Sequence, residues 1–260
     1  MLKRSFSSLT NFFKAAGWTS PELNHTGKPE DAFTLNPKLL ALCDGHSKWR
    51  VQGIDPGLHS WQLVSNIQKS FSSLPEQHKY NTHSLIKDAL GNTSEIGSST
   101  FVIAVLHPEK KEVYASWMGD SGLIIVRKEE GVVKVVAETE AIVNRFDDPK
   151  VVGIEGNNLE EASSRVFEVK DKDILLLFSD GVSHNLTVES VLKTIRPFML
   201  LHEIPDLEIV AEMITEKAQS CFLDPSIEKP YGIQKKSPLQ GKNNDASVVI
   251  AEVNLRDITV

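Results

Sequence analysis

Cysteine is scarce in this 260-residue chain: Cys43 and Cys221 are the two it has, far apart and in no CxxC pair. That argues against a disulfide scaffold and against a cysteine-based zinc cluster. The eight histidines include no HExxH, so the helix motif of many zinc hydrolases is missing too. Positive charge is in the minority. With a formal net charge of −7 and a pI near 5.7, the chain is not expected to bind nucleic acid or a polybasic-seeking membrane surface. No apolar run approaches the ~18 residues of a spanning helix, so no integral membrane contact is expected. The phosphate loop GxxxxGK(S/T), a GxGxxG after a strand, a CxxxxxR phosphatase loop and a GxSxG elbow are all absent. What remains is an ordinary globular composition, 40% hydrophobic and 24% charged, enough for a sizeable core.

Acidic residues are missing from positions 1 to 21, where Lys3, Arg4, Lys14 and several serines stand instead. On a helical wheel Leu2, Phe6, Leu9 and Phe13 share one face, and Lys3, Ser7, Asn11 and Lys14 another. This has the look of a mitochondrial targeting segment, expected over residues 1–10, ahead of a single domain over 11–260. The plain alternative is an N-terminus that happens to lack acids, in a cytoplasmic protein. Phe12–Trp18 also reads as a first strand, so any cleaved segment must be short. Sequons at Asn92 and Asn185 read as chance.

The apolar run Leu39–Cys43 stops at Asp44-Gly45. Asp55-Pro56 reads as cap and first position of a helix that turns Leu58, Trp61, Val64 and Ile67 toward a core. A second helix is expected over Thr82–Leu90, ending at Gly91. Short β-branched runs follow at Thr100–Leu106, Glu112–Met118, Leu123–Arg127 and Val132–Ala137, separated by turn residues, as in antiparallel pairing. Residues 141–165 are polar and irregular. Ile174–Phe178 is a buried strand. Helices are expected at Thr187–Ile195 and Asp206–Cys221, then a loop over Asp224–Asn244 and a last strand over Ser247–Val253. Strands and helices are segregated, which predicts an α+β fold of packed antiparallel sheets.

One pattern recurs along this framework. Three strands end or turn at an aspartate flanked by small residues: Asp44-Gly45, Gly119-Asp120-Ser121-Gly122 and Ser179-Asp180-Gly181. Asp245 directly precedes the last strand, and Glu30-Asp31 precedes Ala32-Phe33. A single Asp-Gly after a strand is usually only a turn. Five acidic sites at the margins of apolar runs would converge at one edge of the sheets. Such a cluster repels itself unless hard divalent cations neutralise it. Oxygen ligands without Cys or His point to Mg²⁺ or Mn²⁺. Gly45 and Gly181 would let the backbone approach a metal.

At these residues the chain resembles the metal-dependent protein phosphatases of type 2C. The resemblance runs in order through Glu30-Asp31-Ala32-Phe33, Asp44-Gly45-His46 with Trp49, Gly53-Ile54-Asp55-Pro56-Gly57, Gly97-Ser98-Ser99-Thr100, Gly119-Asp120-Ser121-Gly122, Ser179-Asp180-Gly181 with Asn185-Leu186, and Gly241 to Asp245. It is closest in look to the subgroup that includes mitochondrial matrix phosphatases. It implies a four-layer αββα sandwich with metals in a cleft between the sheets. It implies that Asp44 bridges two metals, that the Gly45 carbonyl holds one, and that Asp180 and Asp245 bind the second. Glu30 would bind or orient a metal water, Asp31 would support from behind, and Asp120 with Asp180 would bind a third, weaker metal. A water shared by two metals would attack phosphorus in line, without a phosphoenzyme. His46 would be the general acid, or only a hydrogen-bonding neighbour. Residues 141–165 would form the flap beside the cleft.

Departures stand beside the matches. Ser47-Lys48 replaces a glycine pair, and His184 sits where the subgroup often has an acid. No arginine takes the place of the phosphate-binding arginine near the N-terminus of some members. Arg4 is too far upstream, and the segment before Glu30 offers only Lys28 and His25; Lys48 is a candidate for that role, though it reads more readily as a solvated lysine. Three readings follow: a monomeric phosphatase acting on phosphoserine and phosphothreonine proteins, a pseudophosphatase scaffold, or a bare metal-binding domain. No metal-site aspartate is missing, which favours the first.

Overall fold

The computed structural model describes residues 4–6, 12–23, 28–201 and 206–255. Two antiparallel sheets carry the chain. The first runs, in spatial order, β1 (Arg4–Phe6), β2 (Phe13–Ser20), β14 (Ala246–Val253), β13 (Ile174–Phe178), β7 (Gly122–Glu129) and β8 (Val132–Glu138). The second runs β12 (Ser163–Glu168), β6 (Glu112–Met118), β5 (Ser98–His107), β4 (Leu39–Gly45) and β3 (Asp31–Leu35), with β11 (Val152–Gly153) added to β5. Between β8 and β11, β9 (Val143–Arg145) and β10 (Asp148–Pro149) form a small hairpin.

Side-chain alternation explains why the central strands are apolar on both faces. In β4, Leu40 and Leu42 enter the layer between the sheets, with Val102, Leu123, Leu177 and Val249. Leu39, Ala41 and Cys43 point the other way, against α1 (Pro56–Ser73) and α2 (Thr82–Gly91). In β14, Val248 and Ile250 face outward to α4 (Val188–Leu200) and α5 (Leu207–Leu223), while Val249 and Ala251 face inward. Two short helices, α3 (Asp180–Ser183) and α6 (Pro230–Gln234), complete the set. The result is helices on sheet on sheet on helices, the expected α+β, four-layer αββα arrangement.

Helix α1 starts as read: Asp55 accepts the Gly57 N–H at 2.9 Å and Pro56 holds the first position. Leu58, however, is 46% exposed. The buried stripe of α1 is Leu63, Val64, Ile67 and Phe71, and at about 100° per residue Leu58 lies well round the helix from it. Strand β12 begins inside the stretch 141–165 that the sequence marks as irregular, and Phe167 is its one buried side chain. Helix α4 continues past Ile195, through Pro197, to Leu200. The helical wheel drawn through the N-terminus does not match the described part of it: Arg4–Phe6 pairs in extended form with Ala15–Gly17, and Phe13 lies in β2. The rest of residues 1–10, Leu2 and Leu9 included, lies outside the described residues, as does His25. The sequon Asn185 is buried, its amide donating to the Gly181 and Lys242 carbonyls. Among the described residues, no helix is long and apolar enough to cross a membrane.

Candidate metal centre

The acidic residues are delivered by strand ends from both sheets. Asp31 opens β3 directly opposite Asp44 near the end of β4, and Asp44 in turn pairs with Thr100 of β5. Asp180 follows β13 and Asp245 precedes β14, two strands that pair throughout β13. Asp120 sits in the tight turn between β6 and β7, after Gly119 at φ 95°. Glu30, Asp31, Asp44, Asp180 and Asp245 are buried, and Asp120 is half-buried.

Asp245 ties the two sheets together. Its Oδ1 accepts the Glu22 N–H at 2.7 Å, and its Oδ2 accepts those of Glu30 at 2.5 Å and Asp31 at 3.4 Å. Glu30 Oε1 pairs with Arg50 Nε, and Arg50 Nη2 reaches Glu22 Oε2 at 2.7 Å. Asp180 is the most neutralised of the group. Its Oδ2 accepts Lys242 Nζ at 2.7 Å and its Oδ1 accepts the Asn244 amide at 2.6 Å. Lys242 also lies 2.9 Å from Asp147 Oδ1.

Other oxygens are left over. Glu30 Oε2 and both carboxylate oxygens of Asp31 and of Asp120 are buried without a hydrogen-bond partner of good geometry. Their protonation follows. Burial pushes Glu30 up to about 7 against the pull of Arg50. Burial and then the charge of Asp180 push Asp120 up to about 6. Asp31 and Asp44 are also raised well above the carboxylate range, by burial first and by neighbouring aspartates second. Asp180 goes the other way: burial raises it, but Lys242 and His184 outweigh that and hold it low. Six carboxylates cannot all ionise this close together on the charge of one lysine and one arginine. Orphaned, buried, mutually repelling carboxylates are what hard divalent cations neutralise, so the donor set fits Mg²⁺ or Mn²⁺.

The remaining expected residues take these places. His46 follows Gly45, its N–H bound to Ser98 O at 2.9 Å and its Nδ1 buried without a partner. Burial, then Lys48, lowers its pKa. Lys48 is exposed, 5.9 Å over the Trp49 ring, as a solvated lysine would be. Gly45 is needed for packing: a Cβ there would come within 2.6 Å of the Pro56 carbonyl. A Cβ on Gly181 would run into the Asp245 carbonyl. So both glycines let backbones cross at the site. Lys242, Asn244 and Arg50 were not singled out from sequence. Lys242 and Asn244 lie inside the Gly241-to-Asp245 stretch, which was the available signal.

A family model described as stage II sporulation protein E (SpoIIE) matches residues 53–224, more than half of the chain. The chain belongs to this SpoIIE/type 2C phosphatase family. Relatives of the family extend the likeness beyond those residues. The 5-azacytidine resistance protein azr1 of Schizosaccharomyces pombe is 28% identical, over 90% of this chain and 83% of its own. A probable protein phosphatase 2C 26 of Arabidopsis thaliana is 27% identical, over 86% and 78%. Among solved structures, the photosystem II phosphatase PBCP superposes with a TM-score of 0.78 at 22% identity, covering 93% of this chain and 99% of that one. The catalytic domain of the serine/threonine phosphatase PstP, solved with 2 manganese ions, gives a TM-score of 0.63 at 16% identity, covering 94% and 99%. These two likenesses carry the fold of the family.

Proposed function

We propose that this chain is a protein serine/threonine phosphatase dependent on Mg²⁺ or Mn²⁺. The observation that carries the reading is the set of unpartnered buried carboxylate oxygens gathered from both sheets at one edge, in a member of this family. Asp44, Asp180 and Asp245, with Glu30 and the Gly45 carbonyl, would hold two ions, and Asp31 would steady them from behind. When bound, the ions supply a water activated at neutral pH for attack on phosphorus. Their presence in a relative solved with manganese supports the same choice of cation.

The chain's own groups do the rest. Neither cysteine suits a phosphoenzyme: Cys43 lies fully buried in the core, where burial pushes its thiol up, and Cys221 is buried on α5. Direct attack by water fits better. His46 would protonate the leaving serine or threonine oxygen. Burial lowers its pKa in the free protein, but a phosphate dianion in the cleft favours the imidazolium, so the proton would load with substrate. The β9–β10 hairpin and its neighbours within 141–165 would act as the flap beside the cleft. The substrates would be phosphoserine and phosphothreonine proteins met by a monomer, and the acid-free N-terminus supports a mitochondrial address.

The test is turnover of a phosphopeptide panel by the purified chain with Mn²⁺ or Mg²⁺ and with EDTA. Release of phosphate that needs the metal is the expected result. Bound metal with no turnover on any phosphopeptide would make the chain a pseudophosphatase.

A further inference from the structure

Asp147 stands at the tip of the β9–β10 hairpin, in the left-handed region at φ 64°. Residues other than glycine seldom sit there, aspartate and asparagine most readily among them. Three donors hold its carboxylate, and all come from one segment. Tyr231 Oη donates to Oδ2 at 3.2 Å, Lys235 Nζ lies 3.2 Å from the same oxygen, and Lys242 Nζ lies 2.9 Å from Oδ1. Burial raises the Asp147 pKa, but Lys242, Lys235 and Tyr231 outweigh it and hold the group below its usual range. The adjacent Phe146 ring packs on Tyr231 at 5.5 Å and edge-on to His184 at 5.8 Å, with Lys235 Nζ 5.3 Å above it.

The segment that supplies these donors, 224–244, is itself tied together from inside. Lys229 is fully buried, and its Nζ donates to the Asp224 carbonyl, to that of Ile227 at 2.7 Å and to that of Leu239 at 2.8 Å. One ammonium thus joins the two arms of the segment. The Tyr231 N–H is bound to His184 O at 3.0 Å, which seats α6 on the end of α3. The hairpin is therefore fastened to a fixed platform. Its tip borders the acidic centre: Lys242 pairs with Asp180 as well as with Asp147, and the charge of Asp148 acts on His46.

We propose that Asp147 is a positioning residue for phosphoprotein substrates: by fastening the β9–β10 hairpin to the 224–244 platform, it keeps one wall of the cleft in place. The inference rests on the phosphatase reading above and names the residue that sets how that cleft meets a protein chain. A phosphoserine within a chain brings its flanking residues against this wall. A small aryl phosphate reaches the acidic centre without touching it. Loosening the hairpin weakens peptide binding and leaves the chemical step alone, which raises KM at unchanged kcat.

The experiment compares the full chain with Asp147→Asn and with the double variant Tyr231→Phe, Lys235→Met. Asparagine keeps the left-handed turn and removes the charge that holds both lysines. The double variant leaves Lys242 on Asp147, so it loosens the hairpin without disturbing the pair at Asp180. Amide hydrogen exchange over residues 141–153 is measured in EDTA. Kinetics with Mn²⁺ are measured on a phosphopeptide and on p-nitrophenyl phosphate. Hairpin amides should exchange faster in both variants. KM for the phosphopeptide should rise roughly three- to tenfold, as the loss of two partly exposed ion pairs allows, with kcat and p-nitrophenyl phosphate hydrolysis unchanged. Unchanged exchange in both variants would overturn the fastening. Faster exchange with an unchanged phosphopeptide KM, or with equal losses on both substrates, would overturn the positioning role. A wild type that hydrolyses neither substrate would overturn the phosphatase reading and the positioning role with it, while the exchange data would still decide the fastening.

Discussion

Lys242 and Asp180 form an ion pair, Nζ to Oδ2 at 2.7 Å, in the middle of the acidic cluster. The side chain of Asp180 is 5% exposed and that of Lys242 25%. A cation supplied by the chain thus neutralises one carboxylate that a metal would otherwise neutralise. Lys242→Met should destabilise the metal-free protein, because it takes the lysine charge away from a buried carboxylate and leaves it the Asn244 amide and His184. The cost expected is up to about 3 kcal/mol, the low end for a broken buried pair, since the lysine is partly solvated. Added Mn²⁺ should then raise the melting temperature more in the variant than in wild type. Equal melting temperatures in EDTA would show that Lys242 does not support the metal-free fold.

Repulsion makes a second, opposite prediction for Asp44. Asp31, Asp180 and Asp120 all act to disfavour its charge, after burial itself. Asp44→Asn removes that conflict and keeps the shape. It should stabilise the metal-free protein while abolishing metal-dependent turnover. Asp180→Asn should abolish turnover too, but should not stabilise, because it removes one of the two carboxylates paired with Lys242 and leaves it Asp147 alone. Denaturant unfolding in EDTA beside a phosphatase assay checks both. A destabilised Asp44→Asn would mean that the carboxylate is held by contacts and not opposed by charge.

The raised pKa values set a pH dependence. Glu30 goes from 4.5 to about 7 and Asp120 from 3.8 to about 6 on folding. Between those limits the folded, metal-free protein binds more protons than the unfolded chain. Stability therefore falls as pH rises through that window, by up to about 1.4 kcal/mol per pH unit for each group. In EDTA these two groups should lower the melting temperature between pH 5.5 and pH 7.5. Below about pH 6.5 they are opposed by the buried His59, which burial lowers to about 4, and by His46. The Glu30→Gln, Asp120→Asn double variant should therefore lose the fall. Metal should erase the difference, because it binds the ionised forms. A pH dependence that is the same in wild type and in the double variant would show that Glu30 and Asp120 do not carry it.

Much of this arrangement is legible in the sequence. Unbroken apolar runs make β4, β13 and β14 readable as strands buried on both faces, and each has an aspartate at one end that no core would accept. Asp55-Pro56 announced α1 through local chemistry alone. What sequence could not supply was long-range charge pairing. Arg50 meets Glu30 and Lys242 meets Asp180 across 20 and 62 positions, and nothing local marks either cation. Strand β12 escaped because an edge strand exposes most of its side chains, leaving no apolar alternation to detect. A packing need at Gly45 and Gly181 is hidden in the sequence for a related reason. Close approach is required by the Pro56 backbone at the start of α1 and by the Asp245 backbone ahead of β14, contacts that no local pattern marks.

His46 is the residue whose role kinetics can isolate. It sits directly after Gly45 at the end of β4, with its Nδ1 unpartnered. A serine or threonine alkoxide is strongly basic and needs a proton as the P–O bond breaks. p-Nitrophenolate leaves without one. General-acid help is worth about 10²–10⁴ in rate. His46→Ala should therefore slow phosphopeptide hydrolysis by about that range and slow p-nitrophenyl phosphate hydrolysis far less. The Mn²⁺ concentration for half-maximal activity should stay the same, because His46 is not among the proposed ligands. Equal losses on both substrates with a raised metal requirement would place His46 in the metal's surroundings. No loss on either substrate would leave it as a hydrogen-bonding residue at the start of the turn that carries Trp49.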